Sequence, residues 1–234
     1  MITHHRFDQL GGANHGWLDA KHHFSFAHYY DPAKLSHGEL LVINDDRIAP
    51  QTGFDLHPHR DMEIITYVRR GAITHRDNQG NQGRTTAGNI QVMSAGSGIF
   101  HSEYNLEDEE TNIYQIWIAP NARGVTPKWD MAEFPKQPVS DALPLLVSGD
   151  GKAPLHIHQD ARIYAGTLAT GAELAHQITG KAYLLVSEGE VEIEGMKGVK
   201  GDGFQIAGQD QITLKALEQA EILIIEVPGL YDAR

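Results

Sequence analysis

TYVRRGAITH (residues 66–75) and LLVSEGEVEI (residues 184–193) decide the architecture. Each reads as a short strand, a glycine turn and a second strand, and the two stretches lie 118 positions apart. Two further matches follow in the same order: NIQV (89–92) with GFQI (203–206), and IYQIWIAP (113–120) with ILIIEVPG (222–229). The offset shrinks downstream, as small deletions in loops would make it. Around these anchors, β-rich runs occupy 40–43, 63–69, 90–93, 113–119, 162–168, 183–187, 190–194, 211–214 and 222–227. Gly-containing turns such as DNQGNQG (77–83), SAGSG (94–98), SEG (187–189) and KGDG (200–203) punctuate them. No segment carries a long, capped 3.6-residue periodicity. The expectation is an all-β chain of two similar barrels, residues 1–133 and 134–234, joined through the Pro-containing stretch FPKQPVSDALP (134–144).

Composition narrows the chemistry. The 234 residues carry 19 basic and 31 acidic side chains, a formal charge of −12 with histidine neutral. That excess repels phosphate backbones and anionic lipid, so neither direct nucleic-acid binding nor membrane-surface binding is expected. There is no cysteine, which excludes disulfides, thiolate metal sites and thiol catalysis. The leading residues MITHHRFDQL do not resemble a signal peptide, and the longest apolar runs are far short of a membrane span. A cytoplasmic protein is expected.

The 14 histidines are unevenly placed, with eleven at or before position 101. Two clusters stand out, GFDLHPHRDMEIITYVRRG (53–71) and GNIQVMSAGSGIFHSEYN (88–105). On a strand, residues i and i+2 share a face, so His57 and His59 can reach one point, as can His101 and Glu103. Glu63 has the same parity as His57 and His59 and would also point inward along a regular strand. Two converging pairs give three imidazoles and a carboxylate, a set suited to Fe, Mn, Co, Ni, Cu or Zn. Pro58, which donates no ladder hydrogen bond, fits an edge or bulged position.

These two segments resemble the paired motifs of cupins: Gly53, His57, His59, Glu63 and Gly71 in the first, His101 and Asn105 in the second. The spacings depart slightly, and Ser94 or Gly96 stands where proline is usual. Within the cupins the likeness narrows to pirins, carried by HPHRDMEIITYV, MSAGSGIFHSEYN, IYQIWI and the leader GWLDAKHHFSFAHYYDP (16–32). It covers nearly the whole chain, strongly to about residue 130 and weakly after. The resemblance implies a bicupin of two tandem jelly-roll barrels. It also implies that the carboxylate ligand comes from the second motif. Carried over, the ligands are His57, His59, His101 and Glu103, holding one divalent metal per chain, most simply Fe(II), with Zn, Cu, Mn, Ni or Co able to substitute. Glu63 then becomes a neighbouring acceptor, or a partner for Arg60 or Arg69.

The second half serves as a control. The 118-residue offset places Ala175, Gln177 and Lys181 opposite His57, His59 and Glu63, and nothing after Phe204 matches His101 or Glu103. That half keeps the scaffold without the ligands. His156 and His158 lack a downstream partner pair and read as strand residues facing solvent. His22 and His23, beside Phe24 and Phe26, read as caps of the first barrel or, alternatively, as residues lining the pocket mouth. Glu107–Glu110 reads as a solvated loop. Met62, Met93, Phe100 and Trp117 are ordinary barrel core or, alternatively, pocket walls.

Bacterial pirins of this type resemble quercetin 2,3-dioxygenases, which open the ring of a flavonol with dioxygen and release carbon monoxide. In that reading the metal polarises the flavonol 3-oxygen and Glu103 is the catalytic proton acceptor. The alternative implied by the resemblance is an iron- or redox-dependent regulator that acts through a protein partner. A cupin isomerase or hydrolase acting on a small polar substrate is the third possibility.

Overall fold

Every β-rich run of the sequence forms a strand in the computed structural model, which describes residues 1–229. Residues 230–234, the end of the expected second half, lie outside the described residues. Helical structure among the described residues amounts to one 3₁₀ turn, Phe7–Gln9, and no helix is long and apolar enough to cross a membrane.

Each half is a seven-stranded sheet with a four-stranded sheet, the two-sheet form of a jelly roll. In the first half the large sheet runs Lys128–Ala132, Ile90–Ser94, Glu63–Arg70, Thr111–Ile118, Leu40–Ile48, Leu18–His22, Gly11–Asn14. The small sheet runs Thr52–His59, Ile99–Asn105, Ala72–Asp77, Gln82–Thr86. The second half repeats the scheme, its large sheet centred on Lys181–Glu188, Ala220–Val227 and Arg162–Leu168. The chain is therefore an all-β bicupin. Pairing does not follow the sequence boundary everywhere. Ile2–His5 pairs with Gly203–Ile206, at the edge of the second half's large sheet.

The large sheets are buried on both faces, which is why their strands read as continuous apolar runs. Along Glu63–Arg70, Ile65 and Tyr67 join a core cluster shared with Tyr183, Leu185, Leu223 and Ile225 of the second half. Ile64 and Val68, pointing the other way, fill the interior of their own half. The same alternation divides Lys181–Glu188: Tyr183 and Leu185 face the other half, while Leu184 and Val186 face inward. Each large apolar side chain so buried contributes about 1.5–3 kcal/mol, so the shared cluster ties the two halves together.

The interiors differ. The second half is filled by a single cluster that includes Leu174, Ile193, Leu214, Ile222 and Phe204. The first half has two smaller clusters, one around Leu18, Ile48, Val68 and Ile113, the other around Ile64, Met93 and Ile99. Polar residues separate them.

Candidate metal centre

Strand register assembles the site. In the small sheet His101 lies directly opposite His57 on one side and Asp77 on the other, while Ile99 lies opposite His59. His57 and His59 share the inward face by the two-residue period, and Pro58 points out on the edge strand, where its missing N–H costs nothing. The ring centroids of His57 and His101 are 4.4 Å apart, those of His57 and His59 4.8 Å, and those of His59 and His101 5.0 Å. One donor atom from each of the three residues lies within 4.8 Å of the others. Among the described residues, no other three His, Asp or Glu side chains converge in this way.

The imidazoles suit a cation. The Nδ1 of His57 lies 2.6 Å from the Asp55 carbonyl oxygen, which can only accept, so the proton is on Nδ1 and Nε2 is bare. The Nε2 of His101 is buried and has no protein partner. Burial holds His101 down to about 4, against the pull of Glu103 in the opposite direction. Burial, reinforced by His57, holds His59 down to about 4 as well. Both rings are therefore neutral near pH 7, with lone pairs available. A buried imidazole nitrogen without a partner, flanked by two more, is the donor set that a divalent transition metal completes. The residues present fit such an ion.

Glu103 lines the same cavity but stands outside the three-imidazole group. A register shift between His101 and Glu103 sets it opposite Phe54 rather than Asp55. Its Oε1 accepts from Thr66 Oγ1 at 2.8 Å and Gln91 Nε2 at 2.7 Å, and its Oε2 accepts from Gln115 Nε2 at 2.8 Å. Burial alone would raise this carboxyl, but His101, His75 and these hydrogen bonds outweigh it and hold it below the ordinary glutamate range. Its donors come from one rung of the large sheet: Thr66 lies opposite both Gln91 and Gln115. The rung continues through Asn44, opposite Gln115, to His22, whose Nδ1 is 2.8 Å from Asn44 Oδ1. Five strands thus contribute one polar residue each, and this row divides the apolar interior.

Glu63 goes elsewhere. The strand that carries the histidines ends at His59, the chain turns through Asp61, with φ of 46°, and Glu63 starts another strand in the opposite sheet. Its carboxyl is buried and raised by that burial despite the Ser94 hydroxyl 2.6 Å away. It pairs with neither Arg60 nor Arg69, which contact Asp61 and Asp45 respectively. Asn105 of the second motif is a loop clamp: its Nδ2 donates to the carbonyls of Ile48, Ala49 and Glu109.

The cavity beside the imidazoles has a volume of about 250 Å³, at the small end for ligand pockets. Phe26, Phe54, Ile64 and Trp117 supply apolar walls. His22 lines it too, whereas His23 is buried against Tyr183 of the second half, 2.9 Å from its hydroxyl. Asp46, also in the lining, has an Oδ1 without a partner, and burial, Asp45 and Glu103 push its carboxyl well above the ordinary range. Met93 belongs to the core, and Phe100 is about half exposed, at 48%. His156 and His158 stack edge-on to each other at 5.0 Å, apart from the centre. Sequence reasoning passed over Thr66, Gln91, Gln115, Asn44 and Asp46. For Thr66, Gln91 and Gln115 the signal was a polar residue flanked by apolar ones within a strand; Asn44 and Asp46 sit in the polar run NDDR (44–47), which carries no such signal.

Residues 3–118 match the pirin family model, and residues 145–227 match a quercetinase C-terminal cupin domain. A pirin-like protein of Caulobacter vibrioides is 53% identical over 231 residues, covering 97% of this chain and 99% of the relative. This chain belongs to the pirin family. A quercetin 2,3-dioxygenase of Escherichia coli strain K12 is 41% identical over 235 residues, covering 97% of this pirin and 99% of the relative. The crystal structure of the bacterial pirin YhhW from Escherichia coli in complex with nickel(II) matches with a TM-score of 0.92 at 40% identity, covering 98% of this chain and all of that one.

Proposed function

We propose that this pirin is a metal-dependent dioxygenase that opens the ring of a flavonol such as quercetin and releases carbon monoxide. The observation that carries the reading is the convergence of three imidazoles on the wall of a small, largely apolar cavity. The likeness to the Escherichia coli quercetin 2,3-dioxygenase supports the reaction class.

His57, His59 and His101 hold the metal, with Glu103 as the carboxylate beside them. Iron(II) is the metal proposed. When bound, it supplies Lewis-acid polarisation of an oxygen donor on the substrate. Glu103 accepts the proton of the flavonol 3-hydroxyl. Lone-pair counting selects the atom: Oε1 already takes two donors, whereas Oε2 takes one and keeps a site free. Phe54 and Trp117 line the cavity with aromatic surface suited to a flat ring system, and the apolar walls exclude water from the anion that deprotonation leaves. That electron-rich anion is the species that reacts with dioxygen.

The test is an anaerobic quercetin titration of iron-loaded protein, followed by admission of oxygen. Binding, then oxygen uptake with carbon monoxide release, is expected, and both gas signals should vanish in His57→Ala and Glu103→Ala. Metal-loaded protein that neither binds nor consumes flavonols would refute the activity. Turnover without oxygen would point instead to isomerase or hydrolase chemistry, and partner capture that differs between ferrous and ferric protein would point to the regulatory reading.

A further inference from the structure

His101 is backed by a second imidazole that the proposed reaction does not use. Its Nδ1 lies 3.4 Å from Nδ1 of His75, and the Nε2 of His75 lies 2.9 Å from Oδ2 of Asp77. The side chains of His75 and Asp77 are fully buried. We propose that His75 and Asp77 are positioning residues that assign the His101 proton to Nδ1 and so keep its Nε2 lone pair free for the metal. This rests on reading the three imidazoles as a metal site.

Proton counting gives the direction. Asp77 is surrounded by donors: Oδ1 accepts from the backbone N–H groups of Gln79 at 2.9 Å and Asn81 at 3.0 Å, and Oδ2 accepts from Asn81 Nδ2 at 2.9 Å. The carboxylate offers nothing but acceptors, so His75 donates to it from Nε2. With one proton on the ring, His75 Nδ1 is then an acceptor, and the facing Nδ1 of His101 must donate. The other His101 tautomer would set two lone pairs against each other and put an N–H where the cation belongs. His57 reaches the same tautomer through the Asp55 carbonyl, so two of the three ligands are preset.

The surroundings fix the plane of the His75 ring. Trp129 stacks on it at 4.9 Å, with planes 8° apart. The residue directly across the strand pair from His75 is Gly83, where an added methyl would overlap the Trp129 ring. The DNQGN turn, legible in the sequence only as a turn, supplies the anchoring carboxylate.

Asp77→Asn is the decisive variant. The two backbone N–H groups that require an oxygen at the δ1 position direct the new NH₂ toward His75, with the Asn81 amide turned so that its oxygen, not its NH₂, faces the new group. It then donates to His75 Nε2 and reverses the relay. Long-range ¹H–¹⁵N NMR on metal-free protein near neutral pH should show His101 protonated at Nδ1 in the native chain and at Nε2 in the variant. Calorimetric titration with nickel(II) alone should show affinity about 10–100-fold weaker in the variant. A native tautomer or native nickel affinity in Asp77→Asn would overturn the proposal. If that variant does not fold, His75→Phe keeps the stack on Trp129 but removes the acceptor. It should weaken nickel binding in the same range, and native affinity there would overturn the proposal equally. Failure of the native chain to bind nickel would instead refute the metal reading, and the tautomer measurement distinguishes the two failures.

Discussion

Arg69 donates from Nε to Ser187 Oγ at 2.9 Å, and the two residues occupy the same position in the two repeats, 118 residues apart. A residue meets its own counterpart only near a twofold axis relating the halves. Two arginines there would repel. Divergence to an Arg–Ser pair lets the guanidinium reach Ser187 across the interface while it pairs with Asp45 and lies 4.4 Å over the Tyr114 ring of its own half. The Ser187 hydroxyl passes the chain on to Glu221 Oε1 at 2.6 Å.

Arg69→Met should therefore destabilise the protein by about 3–5 kcal/mol, because it leaves Asp45 buried without its cation. Ser187→Ala should cost less, roughly 1.5–3 kcal/mol, the range for a hydrogen bond to a charged group. Chemical denaturation of both variants measures the difference, and equal losses would show that the charge pairing is not the dominant contact.

The polar rung makes its own prediction. Thr66→Val deletes one donor to the Glu103 carboxylate at nearly constant volume and should cost roughly 1.5–3 kcal/mol. It should also raise the pKa of Glu103, since a hydrogen bond to the charged form is lost. Urea midpoints and a carboxyl-resolved NMR titration report the two effects.

Metal-free protein should lose stability as the pH falls from about 6.5 to about 4. In the unfolded chain His59 and His101 take up protons near 6.5, whereas in the folded chain burial delays this to about 4. Between those values the unfolded state binds more protons, so each histidine contributes a slope of up to about 1.4 kcal/mol per pH unit. Denaturation midpoints across this window test it. A flat profile would mean that these rings are solvated.

Metal should stabilise the fold by mass action. Nickel(II) at 100 times its dissociation constant should add about 2.7 kcal/mol, seen as a raised thermal midpoint. His101→Ala should abolish the increment. A rise of the same size in that variant would place the binding elsewhere.

Much of this was legible before folding. His57 and His59, two residues apart, must share a face of any strand, so local geometry alone paired them. Glu63 shows the limit of that rule: its parity is right, but the strand ends at His59 and the turn through Asp61 sends it to another sheet. The exposed acidic loop also behaved as read, with Glu107, Glu109 and Glu110 meeting Arg84, Arg70 and Arg47 at the surface. For His22 and His23 the sequence left capping and pocket lining open, because the place of His22 in the cavity depends on a strand pairing with Asn44 that spacing cannot reveal.

The sequence by itself determined the repeat, the strand-rich class and the three imidazoles, because each depends on residues near one another along the chain or on a pattern that recurs. Only the tertiary structure decided that Thr66, Gln91 and Gln115 grip Glu103, that His75 and Asp77 stand behind His101, and that Ile2–His5 crosses into the other half. Those relations are matters of register between distant strands. Register is set by burying whole faces of a sheet at once, so no local stretch of the chain contains it.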